Sequence, residues 1–384
     1  MKNASLNSLA ADMLTELLKA YSPTGGEYRA VALLRDYARD LGYEDVHVDE
    51  VGNLIASYGD GDISVAFIGH IDTVPGELPV LFDGVKIAGR GAVDAKGPLT
   101  ALFIGVSQAR AYVGRGVKVY SIAVVGEEGD SRGARHLVSR GFKVDGSIIG
   151  EPTNNTGIAV GYRGSIKLMI QCSSSGGHTS SPMLESSACV SLLKIWTIIS
   201  GKMHGFKYNE NSSALLYINC GDRGRYNIYP RHGEMIVDIR VSVNESLESV
   251  MKLVDDMVGR GDLCTHTVLD YTPPVRVSPN NPVVRALTRA ILKQNEKPRI
   301  LYKLGTSDMN LLYPHVAHSM AAYGPGRSEL SHSDKEEMNI DELIHGINVY
   351  RDATVELSSI LLNRGRARQH QDTNLSNLHA LGAP

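Results

Sequence analysis

A chain of 384 residues is long for a single hydrophobic core, so two domains are the natural expectation. Its 42% apolar and 21% charged residues describe an ordinary globular protein, and a net charge of −3 without a basic stripe argues against nucleic-acid binding. No apolar run approaches the ~20 residues a membrane helix requires.

The N-terminal MKNASLNSLAADML lacks the basic start, apolar stretch and small-residue cleavage site of a signal peptide. Amphipathic helices are predicted over residues 6–21 and 27–41, the second after the turn signal SPTGG. Strands follow at 53–58, 64–68, 118–125 and 146–149, with a helix over 99–112 among them. This alternation predicts an α/β sheet with helices on its faces. The rhythm then changes to a strand at 165–172, a helix at 184–200, strands at 214–220 and 234–241, a helix at 247–258 and a strand at 264–269. That order, βαββαβ, is the ferredoxin-like unit. After the turn-forming TPPVRVSPNNP the α/β pattern resumes with a helix at 282–294, an apolar stretch at 316–322 and a helix at 340–362. The expected organisation is a catalytic α/β domain of residues 1–163 and 274–362, interrupted by an inserted domain of residues 164–273. Residues 363–384 have little periodicity and read as a mobile tail. Cys172, Cys189, Cys220 and Cys264 are scattered without a C-x-x-C pair. Reduced thiols in a cytoplasmic protein are therefore expected, and neither a disulfide scaffold nor a thiolate metal site.

Ligands of open α/β sheets collect beyond the carboxyl ends of the strands. Five motifs place polar residues there. VAFIGHIDTVPG carries His70 and Asp72, whose i, i+2 spacing puts both on one side of extended backbone. GRGAVDAKGP carries Asp94, VVGEEGD carries Glu127 and Glu128, SIIGEPTN carries Glu151, and YGPGRSELSHSD carries His332. Each alone reads as turn or helix-cap chemistry. Together they supply two histidines and several carboxylates with no cysteine, a set suited to zinc, cobalt or manganese. So many anionic groups call for two divalent cations, which polarise a carbonyl and acidify a water, the apparatus of a hydrolase. GRGAVDAKG fits neither nucleotide-binding glycine pattern.

These motifs, in this order, resemble the dinuclear zinc hydrolases that include aminoacylase, acetylornithine deacetylase, succinyl-diaminopimelate desuccinylase and glutamate carboxypeptidases. The likeness runs to about Leu362. It implies a zinc-peptidase-like catalytic domain, a mixed sheet flanked by helices, with an inserted ferredoxin-like domain for dimerisation. It also implies that His70, Asp94 and Glu151 hold one metal, and that Asp94 bridges to a second held by Glu128 and His332. Zinc is the implied metal and cobalt the alternative. His315 and His318 lie close enough in sequence to stand in for His332. Asp72 would support His70, and Glu127 would be the general base. His178, in SSSGGHTSSP, would reach a neighbouring subunit's site and stabilise the tetrahedral oxyanion. A homodimer through the insert follows, with domain closure completing the site.

YRGSI, TPPVRVSPNNPVVRALTRAILKQNEKPRI, KLGTSDMNLL and AYGPG further resemble one branch of that family. Its members release lysine or ornithine from the amino-group carrier protein LysW, in lysine and arginine biosynthesis. The bond cut joins the amino acid's α-amino group to the γ-carboxyl of the carrier's C-terminal glutamate. A carboxylate beside that amide needs a cationic clamp, and Arg163 suits bidentate binding, although it could equally bridge a hinge. Asn227, Arg240, Thr306, Ser307 and Gly326 match positions that line the substrate in the family. Arg240 could equally serve a structural ion pair, and Asp308 could receive a side-chain ammonium. The metal motifs do not separate this substrate from N-acetylornithine, N-acetyl-lysine or N-succinyl-diaminopimelate. A catalytically silent carrier-binding protein is the remaining alternative, and the intact Glu127 argues against it.

Overall fold

The structure is a computed structural model and describes residues 5–180, 187–224, 226–259 and 263–380. In chain order the elements are α1 (Leu6–Lys19), α2 (Tyr28–Asp40), β1 (Asp45–Val48), β2 (Leu54–Tyr58), β3 (Ile63–His70), β4 (Leu81–Phe82), β5 (Lys86–Ala88), α3 (Lys96–Ala109), β6 (Val117–Val124), α4 (Arg132–Ser139), β7 (Gly146–Gly150) and β8 (Gly157–Tyr162). They continue with β9 (Gly164–Ser173), α5 (Ala188–Lys202), β10 (Ser212–Cys220), β11 (His232–Val241), α6 (Leu247–Val258), β12 (Cys264–Thr272) and β13 (Val275–Arg276). The last are α7 (Pro282–Lys293), β14 (Arg299–Lys303), α8 (Met309–Leu312), β15 (Met320–Tyr323), β16 (Glu337–Asn339) and α9 (Ile340–Ala380).

Local chemistry sets the helix starts. Ser5 caps α1 by accepting from the Ser8 N–H, and Asn281 caps α7 through Val283 and Val284 with Pro282 in the first turn. The chain divides into two units, one of residues 1–160, 277–301 and 311–384, the other of residues 161–276 and 302–310.

In the first unit the sheet order is β1-β2-β6-β3-β7-β15-β8, with β6, β3, β7 and β15 parallel. Val65, Ala66, Phe67 and Ile68 of β3 are consecutive and fully buried, the pattern of a parallel strand covered on both faces. Helix α3 is buried almost throughout and packs against α9. At Gly105 a Cβ would collide with the Ile347 carbonyl oxygen, so these two helix backbones touch. Because the four parallel strands run the same way, the residues that follow β3, β6, β7 and β15 leave from one edge of the sheet.

The second unit has the order β10-β11-β9-β12, all antiparallel, crossed by α5 and α6. Ile166, Leu168 and Ile170 alternate along β9 onto the same core as Met235, Val237 and Ile239 of β11. Leu192, Ile195 and Ile199 of α5 and Val250 and Val254 of α6 close it. This is the ferredoxin-like βαββαβ arrangement.

Two expectations differ from the structure. The cysteines are not reduced: Cys172 bonds Cys264, and Cys189 bonds Cys220. Cys172 and Cys264 are 92 residues apart in sequence, yet β12 pairs with β9 so that they face each other with Cα atoms 4.1 Å apart. Sequence spacing cannot register strands that become neighbours only in the sheet. The final helix, expected to stop at Leu362, has helical backbone to Ala380.

Candidate metal centre

His70 is the last residue of β3 and is 1% exposed. Its Nδ1–H donates to the Asp72 carbonyl at 3.0 Å, which turns Nε2 toward Asp94 Oδ1 at 3.2 Å. The other oxygen of Asp94, Oδ2, lies 3.3 Å from His332 Nε2. One carboxylate thus faces two imidazoles. His332 Nε2 also lies 2.8 Å from Glu128 Oε1. His332 has φ of +61°, a backbone region that costs energy for a residue with a Cβ and is retained mainly where surrounding structure enforces it.

Glu127 and Glu128 follow Gly126, whose φ is +80° and whose Cβ would come within 2.5 Å of Asp130 and 2.8 Å of Arg132. Only glycine fits that turn. The two carboxylates are fixed through their backbone. The Glu127 N–H donates to Asp72 Oδ1 at 3.0 Å, the Glu128 N–H to Asp72 Oδ2 at 3.1 Å, and the Thr24 hydroxyl to Oδ2 at 2.7 Å. The Asp72 carboxylate stands 3.7 Å from His70 Nδ1, the residue it is expected to support, and it also accepts from the 127–128 loop.

Donor atoms of His70, Asp94 and Glu151 lie within 4.8 Å of one another, as do those of Asp94, Glu128 and His332, and those of His70, Glu127 and Glu128. His315 and His318 are exposed and belong to none of these groups. Electrostatics agree with a cation site. Burial alone would lower the His70 pKa, but hydrogen bonds to Asp72 and Asp94 and the charges of Glu127 and Glu151 hold it well above its usual value. Hydrogen bonds to Asp94 and Glu128 raise His332 to about 10 against a smaller effect of burial. Burial would push Asp94 up, yet His332 and His70 hold it well below the carboxylate range. Without metal, the shifts of both histidines favour the protonated imidazoles, whose charge offsets part of that of the carboxylates. An all-nitrogen-and-oxygen donor set in two trios that share Asp94 fits two divalent cations.

The remaining candidates belong to the second unit, apart from Gly326. In the second unit, Arg163 donates from Nε to the Leu304 carbonyl at 2.8 Å and from Nη1 to Ser212 Oγ at 2.9 Å. Burial and the charge of Arg240 lower its pKa. Arg240 pairs with Asp238 at 2.9 Å and reaches Thr306 Oγ1 at 3.5 Å. The Ser307 hydroxyl accepts from the Met309 N–H, and Asp308 is buried. The His178 and Asn227 loops are joined: the Thr179 N–H donates to the Asn227 carbonyl at 3.2 Å, and the Tyr229 N–H to that of Gly177 at 2.9 Å. The Ser180 N–H donates to His178 Nδ1 at 3.2 Å, and Ser180 Oγ lies 2.8 Å from the same nitrogen. In the first unit, the Gly326 N–H donates to Asn155 Oδ1 at 3.2 Å.

Sequence reasoning missed several supporting residues. In the sequence Thr24 is marked only as part of the SPTGG turn. Lys96, fully buried, donates from Nζ to the Leu17 and Ala20 carbonyls at 2.8 and 2.9 Å, and burial lowers its pKa to about 7. Arg90 and Glu336 form a buried pair at 3.1 Å. The acidic run SDKEE after His332 was the only hint of Glu336.

A shared aspartate between two histidine–carboxylate trios, beyond the carboxyl ends of parallel strands, is the build of a metal-dependent amidohydrolase. Residues 66–356 match Peptidase family M20/M25/M40, and the chain belongs to that family. It is 37% identical over 348 residues to a [LysW]-lysine/[LysW]-ornithine hydrolase from Saccharolobus islandicus, covering 91% of this chain and 96% of the relative. It is 35% identical over 362 residues to a putative hydrolase of the same name from Aeropyrum pernix, covering 93% and 99%. Aminopeptidase PepT from Bacillus cereus shares the fold with a TM-score of 0.77 at 21% identity, over 91% of this chain and 98% of its own.

Proposed function

We propose that this protein hydrolyses the amide that joins lysine or ornithine to the C-terminal glutamate of LysW, releasing the free amino acid for lysine and arginine biosynthesis. The observation that carries this reading is 37% identity, over nearly the full length of both chains, to a relative named for that substrate. We infer His70, Asp94 and Glu151 as ligands of one cation, with Asp94, Glu128 and His332 for the other. Zinc suits these donors best, and cobalt would substitute. When bound, the cations polarise the scissile carbonyl and lower the pKa of water.

The chain's own groups do the rest. Glu127 takes a proton from the attacking water and delivers it to the leaving nitrogen. Asp72 holds the backbone of Glu127 and Glu128, which keeps base and ligand side by side. His178 of a second copy donates a ring N–H to the oxyanion. Arg163, with Asn227, Arg240, Thr306, Ser307 and Gly326, receives the substrate, Arg163 taking its carboxylate. A homodimer through the ferredoxin-like unit is supported by β10, an edge strand with Leu216, Tyr217 and Ile218 exposed. We place the protein in the cytoplasm, with its biosynthetic substrate. Disulfides are compatible with that setting in heat-adapted organisms.

Metal-replete protein incubated with LysW-conjugated lysine, LysW-conjugated ornithine and N-acetylornithine tests the reading. Free lysine or ornithine is expected from the carrier conjugates. Release only from the acetylated small molecule would overturn it.

A further inference from the structure

Glu336 lies four residues beyond His332, is 1% exposed and uses both carboxylate oxygens. Oε1 accepts from the Val93 N–H at 3.0 Å and from the Asp94 N–H at 2.9 Å. Oε2 accepts from Arg90 Nη1 at 3.1 Å. Arg90 in turn donates from Nε to the Gly76 carbonyl at 2.9 Å and from Nη1 to the Ser333 carbonyl at 3.0 Å. One side chain therefore ties the turn that carries Asp94 to the segment that carries His332. The arrangement repeats what Asp72 does for Glu127 and Glu128: a buried carboxylate accepts from two consecutive backbone N–H groups of a loop that bears candidate metal-binding residues.

We propose that Glu336 is a positioning residue for the shared aspartate. It fixes the backbone at Val93 and Asp94 so that the two oxygens of Asp94 diverge, one toward His70 and one toward His332. It also fixes how far His332 stands from Asp94. The inference rests on the two-cation reading above. The ordinary alternative is that Arg90–Glu336 is only a buried ion pair, whose loss would lower stability without altering metal affinity.

Cobalt(II) titration of the metal-free protein, thermal melting and steady-state kinetics on LysW-conjugated lysine separate the two. Glu336→Gln leaves one oxygen to serve both the two amides and Arg90. Cobalt affinity is expected to fall about 10- to 100-fold, and kcat to fall with KM unchanged. Arg90→Lys keeps a charge beside Glu336 and leaves the two amide bonds in place, so its melting temperature falls while cobalt affinity stays within about threefold of the parent. If Glu336→Gln does not fold, Glu336→Asp is read in the same way. It retains the charge opposite Arg90 but is one methylene shorter, so it cannot reach both Arg90 and the two amides. Cobalt affinity within twofold of the parent in a folded Glu336 variant, or equal loss in Arg90→Lys, overturns the proposal. Asp94→Asn is the control: if it binds cobalt like the parent, the two-cation reading fails and the fault does not lie with Glu336.

Discussion

Glu127 and Glu128 leave β6 side by side, yet their proposed tasks differ, and each has its own consequence on substitution. Glu127→Gln is expected to keep both metals and lose about 10²- to 10⁴-fold in kcat, the usual range for a general base. Glu128→Gln is expected to lose one metal. Metal analysis beside turnover reads both, and equal metal loss would show the roles wrongly divided. The histidines give a pH signature. His332 is held at about 10 in the metal-free protein against ~6.5 when unfolded. The stability it contributes is therefore fully present below pH ~6.5 and lost as pH rises through about 10. A cation displaces that proton, so cobalt affinity should rise over the same interval. The melting temperature of metal-free protein should fall from pH 6.5 to 10 while cobalt binding tightens. A metal-free melting temperature that rises across this range would contradict the protonated state. His70, Glu128 and Glu151 were legible because they stand at or just past the end of an apolar strand, and Asp94 and His332 because glycine-containing motifs carry them. Thr24 and Glu336 were not, because they act on Asp72 and Asp94 from 48 and 242 residues away in sequence.

The long elements were legible for the same reason that they are stable. Helices α1, α6 and α7 carry apolar periodicities over several turns, and strand β3 carries an unbroken apolar run. Strands β4, β5, β13 and β16 have two or three residues each, too few to show a period. Helix α4 buries only Gly133, Ala134 and Leu137 in eight residues. Strand β8 is apolar but runs into β9 with only Arg163 between them, so no turn marks its end. The contact of α3 with α9 supplies a test at this scale. Gly105→Ala should gain up to about 1 kcal/mol in helix propensity. Against this, its Cβ would meet the Ile347 carbonyl, with Tyr350 Cβ at 2.8 Å, and backbone cannot step aside. Overpacking of about 1–3 kcal/mol should win, and thermal melting should show a lower midpoint. A stabilised variant would mean that the two helices separate at little cost.

Over the whole molecule, cross-links and candidate ligands are segregated. Both disulfides lie in the second unit, and all three histidine–carboxylate groups lie in the first. By the chain-entropy account, closing loops of 92 and 31 residues contributes about 4–5 and 3–4 kcal/mol. Calorimetry with a chelator should therefore move the transition of the first unit, and with a reductant that of the second. One transition that moves as a whole with either agent would mean that the units unfold together.

The split first unit also imposes an order on synthesis. His70, Asp94, Glu128 and Glu151 emerge from the ribosome before any of the second unit, whereas His332 follows Glu128 by 204 residues. At ~5–20 residues per second that interval is about 10–40 s. Once Glu151 is made, the nascent chain has the complete first trio, while the second lacks its histidine, Glu336 is absent and β7 has no β15 beside it. A cation captured early would meet only half of the centre. Completion of the site is thus a late, long-range event of biogenesis, set by where the chain is interrupted.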